Sequence, residues 1–210
     1  MFDTISKQGL RWILLLGFIS MHTSMFCQRS EEFRSLKLVL GGGYGNYFNT
    51  FTNVSDQEVV NNRPSFCGKL LWQPEYRLRI GVESGYYLIY STTRIETNNG
   101  TKKLTTNLSV IPIFLSLSMK VVNHLELNFA TGLADMIYTI NINKSKTDKV
   151  VGHTFSMSNY ATGFTYTIPL GKKIELGAEF KYMNLGKTED SHISGLITIS
   201  YKIFNWKIKN

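Results

Sequence analysis

Cysteine is almost missing from this chain: Cys27 and Cys67 are the only two in 210 residues. If the first departs with an export signal, the second stands alone and no intrachain disulfide can form. Charge is sparse too, at 18% of residues, against ~25% in an ordinary soluble domain. The balance is nevertheless basic, at +8. A basic balance suits nucleic acid or an anionic membrane surface. Here the cations are scattered, with no run longer than a pair such as Lys172-Lys173, so nucleic-acid binding is not expected. None of the histidines lies at metal-ligand spacing, and no metal or cofactor is expected. Gly41-Gly42-Gly43 is not followed by Gly-Lys-Ser/Thr or by a helix, which excludes a phosphate loop.

Long apolar runs are also absent. Trp12 to Met21 is about ten residues long, too short to cross a bilayer as a helix. Lys7 and Arg11 precede it, and a polar stretch from Gln28 to Arg34 follows. Residues 1–27 therefore read as a secretory signal, cleaved between Cys27 and Gln28 or after Ser24. Phe26 argues against a lipoprotein cysteine at Cys27, because that processing site takes a small residue before the cysteine. Residues 28–210 are then one domain.

What the mature chain does have is alternation. From Tyr76 to Tyr90, the even positions are Tyr76, Leu78, Ile80, Val82, Ser84, Tyr86, Leu88 and Tyr90, and the odd positions carry Arg77, Arg79, Glu83 and two glycines. Successive strand side chains point to opposite faces, so one face is apolar and the other polar. A strand of about 15 residues exceeds the ~5–6 of a globular sheet; a tilted strand crossing a bilayer needs ~9–11 in the hydrocarbon alone. The same pattern recurs over Leu36–Asn46, Ser65–Gln73, Leu104–Lys120, His124–Asn141, His153–Ile168, Lys173–Leu185 and His192–Phe204. Pro112 inside a strand predicts a local bulge.

The connections alternate in length, at roughly 18, 3, 13, 3, 11, 4 and 6 residues, with ends uncertain by a few residues. An even strand count with short turns at one end and long loops at the other is the layout of an outer-membrane barrel. In lipid, a sheet must close to leave no unpaired edge. The expectation is an all-β, eight-stranded antiparallel up-and-down transmembrane β-barrel. Four loops, led by Tyr47–Pro64, would face outside. Two aromatic rings would flank the aliphatic band: Trp72, Tyr76, Tyr166 and Tyr201 near the short turns, and Tyr44, Tyr90, Tyr160 and Tyr182 near the loops. A soluble lipocalin-type barrel would invert the pattern, lining its cavity with the apolar residues.

The lumen face collects Lys37, Lys69, Arg77, Arg79, Glu83, Glu126, Glu175, Glu179, Lys181 and Lys202. Both signs are present in similar numbers, so a salt-bridged plug is favoured over an ion path, since charges removed from water need partners. His153 and His192 fall near the outer strand ends. His192-Ile193-Ser194 resembles the His-x-Ser arrangement of outer-membrane lipid A deacylases, whose mechanism also needs a carboxylate; Glu179 and Glu189 are the conceivable ones.

The Asn107–Tyr138 stretch, with Ile111-Pro112-Ile113 entering a strand, a short turn, and Leu125-x-Leu127-x-Phe129-Ala130-x-Gly132, resembles the small outer-membrane barrels common in Bacteroidetes, the PorT-like group. The layout is also similar to enterobacterial outer membrane protein X and to the barrel domain of outer membrane protein A. The resemblance implies fold and location over nearly all of the mature chain, and no shared catalytic motif. Such barrels often end on an aromatic residue; here Phe204 is followed by Asn205–Asn210, so the assembly signal is internal or the last strand runs further. The expected protein is a monomer in outer-membrane lipid with no catalytic residues and a structural or surface-interaction role. The alternatives are a narrow pore for small solutes, marked by an open lumen, and a lipid-modifying enzyme, marked by a carboxylate within reach of His192 and Ser194.

Overall fold

The computed structural model describes residues 33–48, 58–75, 77–96, 102–142, 149–187 and 190–207. The expected signal at 1–27, Tyr76 and Glu189 lie outside the described residues. The strands are β1 (Phe33–Phe48), β2 (Glu58–Val60), β3 (Asn62–Gln73), β4 (Leu78–Glu96), β5 (Lys102–Val122), β6 (Leu125–Ile142), β7 (Lys149–Pro169), β8 (Ile174–Leu185) and β9 (Asp190–Lys207). β2 and β3 flank Asn61 and both pair with β4, so they share one wall position and the wall has eight. Every neighbour is antiparallel, β1 pairs with β9, and the β4–β5 ladder leaves no gap: the sheet is a closed up-and-down barrel.

The faces follow the alternation. Leu40 is 59% exposed, Ile113 63%, Leu115 62% and Ile197 68%, while the polar Lys69, Glu83, Glu179 and Lys181 are buried. That is the inverse of a soluble barrel, and the apolar exterior needs hydrocarbon around it. A closed strand ring is one of the two ways a chain can satisfy its backbone in lipid. The protein is accordingly a membrane-spanning β-barrel with an apolar outer face.

The strands run further at the loop end than the alternation showed. β1 extends through Phe48, β3 begins at Asn62, β4 ends at Glu96, β5 starts at Lys102 and β7 starts at Lys149. The extra length on β4 includes Thr92 and Thr93, whose β-branched side chains fit a pleated surface without needing an apolar face. The last strand also continues past Phe204, to Lys207.

The expected bulge at Pro112 is not there. Opposite Pro112 the β4–β5 ladder lapses at Gly85 and Tyr86, then resumes in the same register from Ser84↔Ile113 to Tyr87↔Val110. The proline removes one donor, and no extra residue is needed to accommodate it. The irregularity falls four residues further up β4, where Leu88 pairs with Ser109 and Tyr90 with Leu108, leaving Ile89 over. This inserted residue reverses the faces above it. Tyr90 therefore turns inward, with its ring 4.8 Å from that of buried Tyr47, and does not join the outer aromatic ring.

A second bulge lies between β6 and β7, where the register moves from Gly132↔Asn159 to Ala134↔Ser156. Gly132 adopts φ 156°, a conformation other residues rarely take. The Asn159 amide donates to the carbonyls of Gly132 (3.2 Å) and Ser156 (2.8 Å), so one side chain serves acceptors that the bulge takes off the ladder.

Candidate functional site

The lumen is filled in two storeys. The lower storey, towards the short turns, is ionic. Lys37 Nζ donates to Glu175 Oε2 at 2.6 Å, and Lys202 Nζ lies 2.8 Å from Glu175 Oε1. Arg79 pairs with Glu126 and donates through Nε to Gln73 Oε1 at 3.1 Å. Above them Lys69 Nζ donates to Glu179 Oε1 at 2.6 Å and lies 3.5 Å from Glu83 Oε2. Lys181 binds Glu83, approaches Glu179 Oε1 at 3.3 Å, and donates to the Tyr87 hydroxyl at 3.1 Å. A hydroxyl–amide chain fills the gap beside Glu126: Ser118 Oγ donates to Asn128 Oδ1, and Asn128 Nδ2 donates to Thr165 Oγ1, each at 2.6 Å.

These charges sit on β1, β3, β4, β6, β8 and β9, and the pairs Lys37–Glu175, Lys69–Glu179, Lys181–Glu83 and Arg79–Glu126 cross the lumen to join non-adjacent strands. Nine of the ten expected lumen charges enter this network. The tenth, Arg77, is half-buried in the β3–β4 turn, where its carbonyl accepts from the Lys120 N–H at 2.8 Å.

The upper storey is apolar. Tyr87, Ile89, Leu108, Val110, Met136 and Met183 are all essentially inaccessible and form one cluster with Tyr47 and Leu185. Tyr47 Oη donates to Asp190 Oδ1 at 2.7 Å, closing the outer mouth between β1 and β9. The members of this layer are visible one at a time as odd or even positions, and only the ring of strands brings them to one height.

Within the ionic storey a cavity bounded by Lys37, Lys69, Glu126, Glu179, Thr198 and Ser200 has a volume of about 10 Å³, the size of a site for a single water. Glu179 Oε2, Thr198 Oγ1 and Ser200 Oγ have no hydrogen-bond partner within the protein, and three polar neighbours suit one water.

His192 and Ser194 both point inward and are buried. The imidazole stands edge-on to Tyr87, with ring centroids 5.9 Å apart, and neither of its nitrogens has a hydrogen-bond partner. Ser194 Oγ is likewise without one. Glu179 is held by Lys69 and Lys181 and makes no contact with the imidazole, so a Ser–His–carboxylate relay is not assembled among the described residues. Gly45 gives the ring its room: a Cβ there would lie 2.1 Å from His192 Cε1. His153 is exposed instead, with Nδ1 3.1 Å from Asp135 Oδ2 on the outer surface.

The aromatic rings are largely where expected. Trp72, Tyr166 and Tyr201 are exposed at the short-turn end, and Tyr44 and Tyr160 at the loop end. Tyr182 is half-buried, its hydroxyl 2.9 Å from Ser191 Oγ.

The outer end is uneven. β4 pairs with β5 as far as Glu96↔Lys102, and β6 with β7 as far as Asn141↔Lys149. β8 meets β7 only from Asn159↔Leu185 downward. The outer part of β7 thus has a ladder on its β6 side and, among the described residues, no strand on the other. Phe155 and Met157 on this segment are 70% and 80% exposed.

No protein-family model matches the sequence, and no curated protein matches it. Among solved structures, the chain is similar to Ail, the attachment invasion locus protein of Yersinia pestis, at 11% identity and a TM-score of 0.49 over 83% of this chain and 100% of that one. It is also similar to Neisserial surface protein A at 11% identity and 0.43, over 81% and 99%. The N-terminal barrel domain of Pseudomonas aeruginosa OprF matches at 14% identity and 0.40, over 80% and 97%.

Proposed function

We propose that this protein is a non-catalytic, monomeric outer-membrane barrel whose role is structural or surface-interacting and resides at its outer end. The observation that carries the reading is the filled lumen. Ion pairs cross it below, an apolar cluster packs it above, and a cavity among the ion pairs has the size of one water. A conduit would need a continuous wet path, which this packing opposes. What is left to meet a partner is the outer rim. Unpaired strand edges there are templates for strand addition, and exposed apolar side chains clustered on one segment mark contact surfaces. The outer part of β7 offers both. The kinship we favour is with the small Bacteroidetes barrels of the PorT-like group, on the Asn107–Tyr138 motif.

Single-channel recording of the refolded mature protein in a planar bilayer tests this. The expected result is insertion, shown by protease protection of the strands, without conductance steps. Stepwise conductance from the inserted protein would overturn the reading in favour of a narrow pore.

A further inference from the structure

Among the described residues, the buried polar atoms without a partner fall into three groups. Glu179 Oε2, Thr198 Oγ1 and Ser200 Oγ bound the small cavity of the ionic storey, and Ser156 Oγ and Asn159 Oδ1 stand at the β6–β7 bulge. The third group is the largest and lies at the outer mouth. It consists of Arg63 Nε and Ser65 Oγ on β3, and both ring nitrogens of His192 and Ser194 Oγ on β9.

The ladders of β1 bring these side chains together. Gly45 stands opposite Ser194 on one side and opposite Arg63 on the other, and Gly43 stands opposite Ser65. Side chains directly opposite on one face of an antiparallel ladder lie ~5 Å apart. Because Gly45 has no side chain, the His192 ring occupies the place between Arg63 and Ser194: a Cβ on Gly45 would lie 2.1 Å from Nε2. Three elements thus converge on one spot, although β3 and β9 are not neighbours.

Every group there can donate a hydrogen bond, and one is a cation. Arg63 Nη2 donates to Asn107 Oδ1 at 3.1 Å, and the guanidinium enters no ion pair among the described residues. The carboxylates at neighbouring heights are engaged: Asp190 accepts from the Tyr47 hydroxyl at 2.7 Å, and Glu83 and Glu179 are held by Lys181 and Lys69. Ser65, His192 and Ser194 are 1% exposed or less. Buried donors left unpaired are costly, and donors to a charged acceptor make the stronger bonds. A water would serve the hydroxyls but would leave the guanidinium without a counter-charge. An anion would serve both. Tyr87 and Met183, which flank the imidazole, are inaccessible, so the occupant is an ion of halide size and not an organic acid.

We propose that Arg63, His192 and Ser194, with Ser65 below them, form a binding site for one small inorganic anion of the halide class at the outer mouth of the lumen. Arg63, which is half-buried, is its accessible side. The site does not depend on a partner at β7, and it is read by experiments other than conductance.

Crystals of the full mature protein grown in sodium bromide and measured at the bromine absorption edge test this. The expected result is an anomalous peak between Arg63 Nε, the His192 ring and Ser194 Oγ. In solution, a tenfold rise in chloride, with gluconate holding ionic strength constant, is expected to lower the unfolding equilibrium constant in urea by about five- to tenfold. The double variant Arg63→Met with Ser194→Ala should lose both the peak and the chloride dependence. Arg94→Gln, which removes an exposed cation of β4, should keep both. If the double variant does not fold, Ser194→Ala alone, which removes one hydroxyl, should still weaken the chloride dependence. Bromide at exposed cations only, equal stability in chloride and gluconate, or a chloride dependence undiminished in the Arg63 and Ser194 variants would each overturn the proposal. The first two together would mean that water alone satisfies these donors.

Discussion

Replacing Lys181 by Met removes one ammonium from a buried group of two lysines and two glutamates. Lys181 binds Glu83, lies 3.3 Å from Glu179 Oε1, and donates to Tyr87. In its absence both carboxylates must share Lys69, which is 2.6 Å from one and 3.5 Å from the other. All four side chains are 4% exposed or less, so water cannot supply the missing charge. At an effective dielectric near 20, a contact of this length is worth about 5 kcal/mol gross. The net cost of leaving a buried charge without its partner is about 3–5 kcal/mol. Methionine keeps most of the lysine stem's packing, so the loss reports the charge.

Urea unfolding in lipid vesicles, followed by the emission of lipid-facing Trp72, measures it. The double variant Lys181→Met with Glu83→Leu leaves the Lys69–Glu179 pair neutral and should return to within about 1 kcal/mol of wild type, since an ion pair replaced whole by apolar groups is close to neutral. The two singles and the double then form a cycle with a coupling of at least about 5 kcal/mol, since each single leaves a buried charge unpaired at about 3–5 kcal/mol and the double costs about 1. A loss below about 1 kcal/mol in the single variant would refute the reasoning, because it would mean that water reaches Glu83 and that the lumen is wet.

Three further outcomes are expected. Gly45→Ala should cost about 1–3 kcal/mol by overpacking, because its Cβ would meet the His192 ring; adding His192→Ala should recover much of that loss in the same urea assay, and no recovery would place the clash elsewhere. Cys67 is buried in the lumen wall, so a membrane-impermeant thiol reagent should leave it unmodified by mass spectrometry in the folded protein and modify it fully in urea; labelling of the folded protein within minutes would reveal a water path. Ile113→Arg on the lipid face should cost about 2–4 kcal/mol and Val150→Arg on the projecting part of β7 less than about 1, following the depth dependence of charge in barrels; equal costs would place β7's outer end inside the bilayer.

The wall was readable because each strand carries its own signal. Leu38 and Leu40 against Lys37, or Ile197 and Ile199 against Thr198 and Ser200, state two faces within a few residues, and the structure keeps them. The top of β4, with Thr92 and Thr93, states no such difference, since neither face there meets hydrocarbon or a charged core, and the alternation ends short of Glu96. The inversion at Tyr90 comes from one extra residue on β4 relative to β5. Register belongs to a pair of strands, so neither sequence alone contains it. The lumen was legible by composition, as charges of both signs facing inward. Its pairing was not, because Lys37 with Glu175 and Lys69 with Glu179 are brought together by the closure of the ring.

That closure also decides what a set of inward charges does. The same lysines and glutamates lining a wet bore would be screened and worth little to one another, and solvent could pass between them. Here the layer above them is Tyr87, Ile89, Leu108, Val110, Met136 and Met183, largely apolar side chains that are essentially inaccessible. The apolar storey therefore strengthens the ionic one by keeping the local dielectric low. The ionic storey in turn ties β1, β3, β4, β6 and β8 across the bore, which holds the wall at the width that lets the apolar side chains meet. The link between them is a single side chain: Tyr87 presents its ring to His192 in the upper layer and its hydroxyl to Lys181 in the lower. Truncating Tyr87 should consequently loosen both storeys at once, and it is the substitution most able to turn a silent barrel into a conducting one.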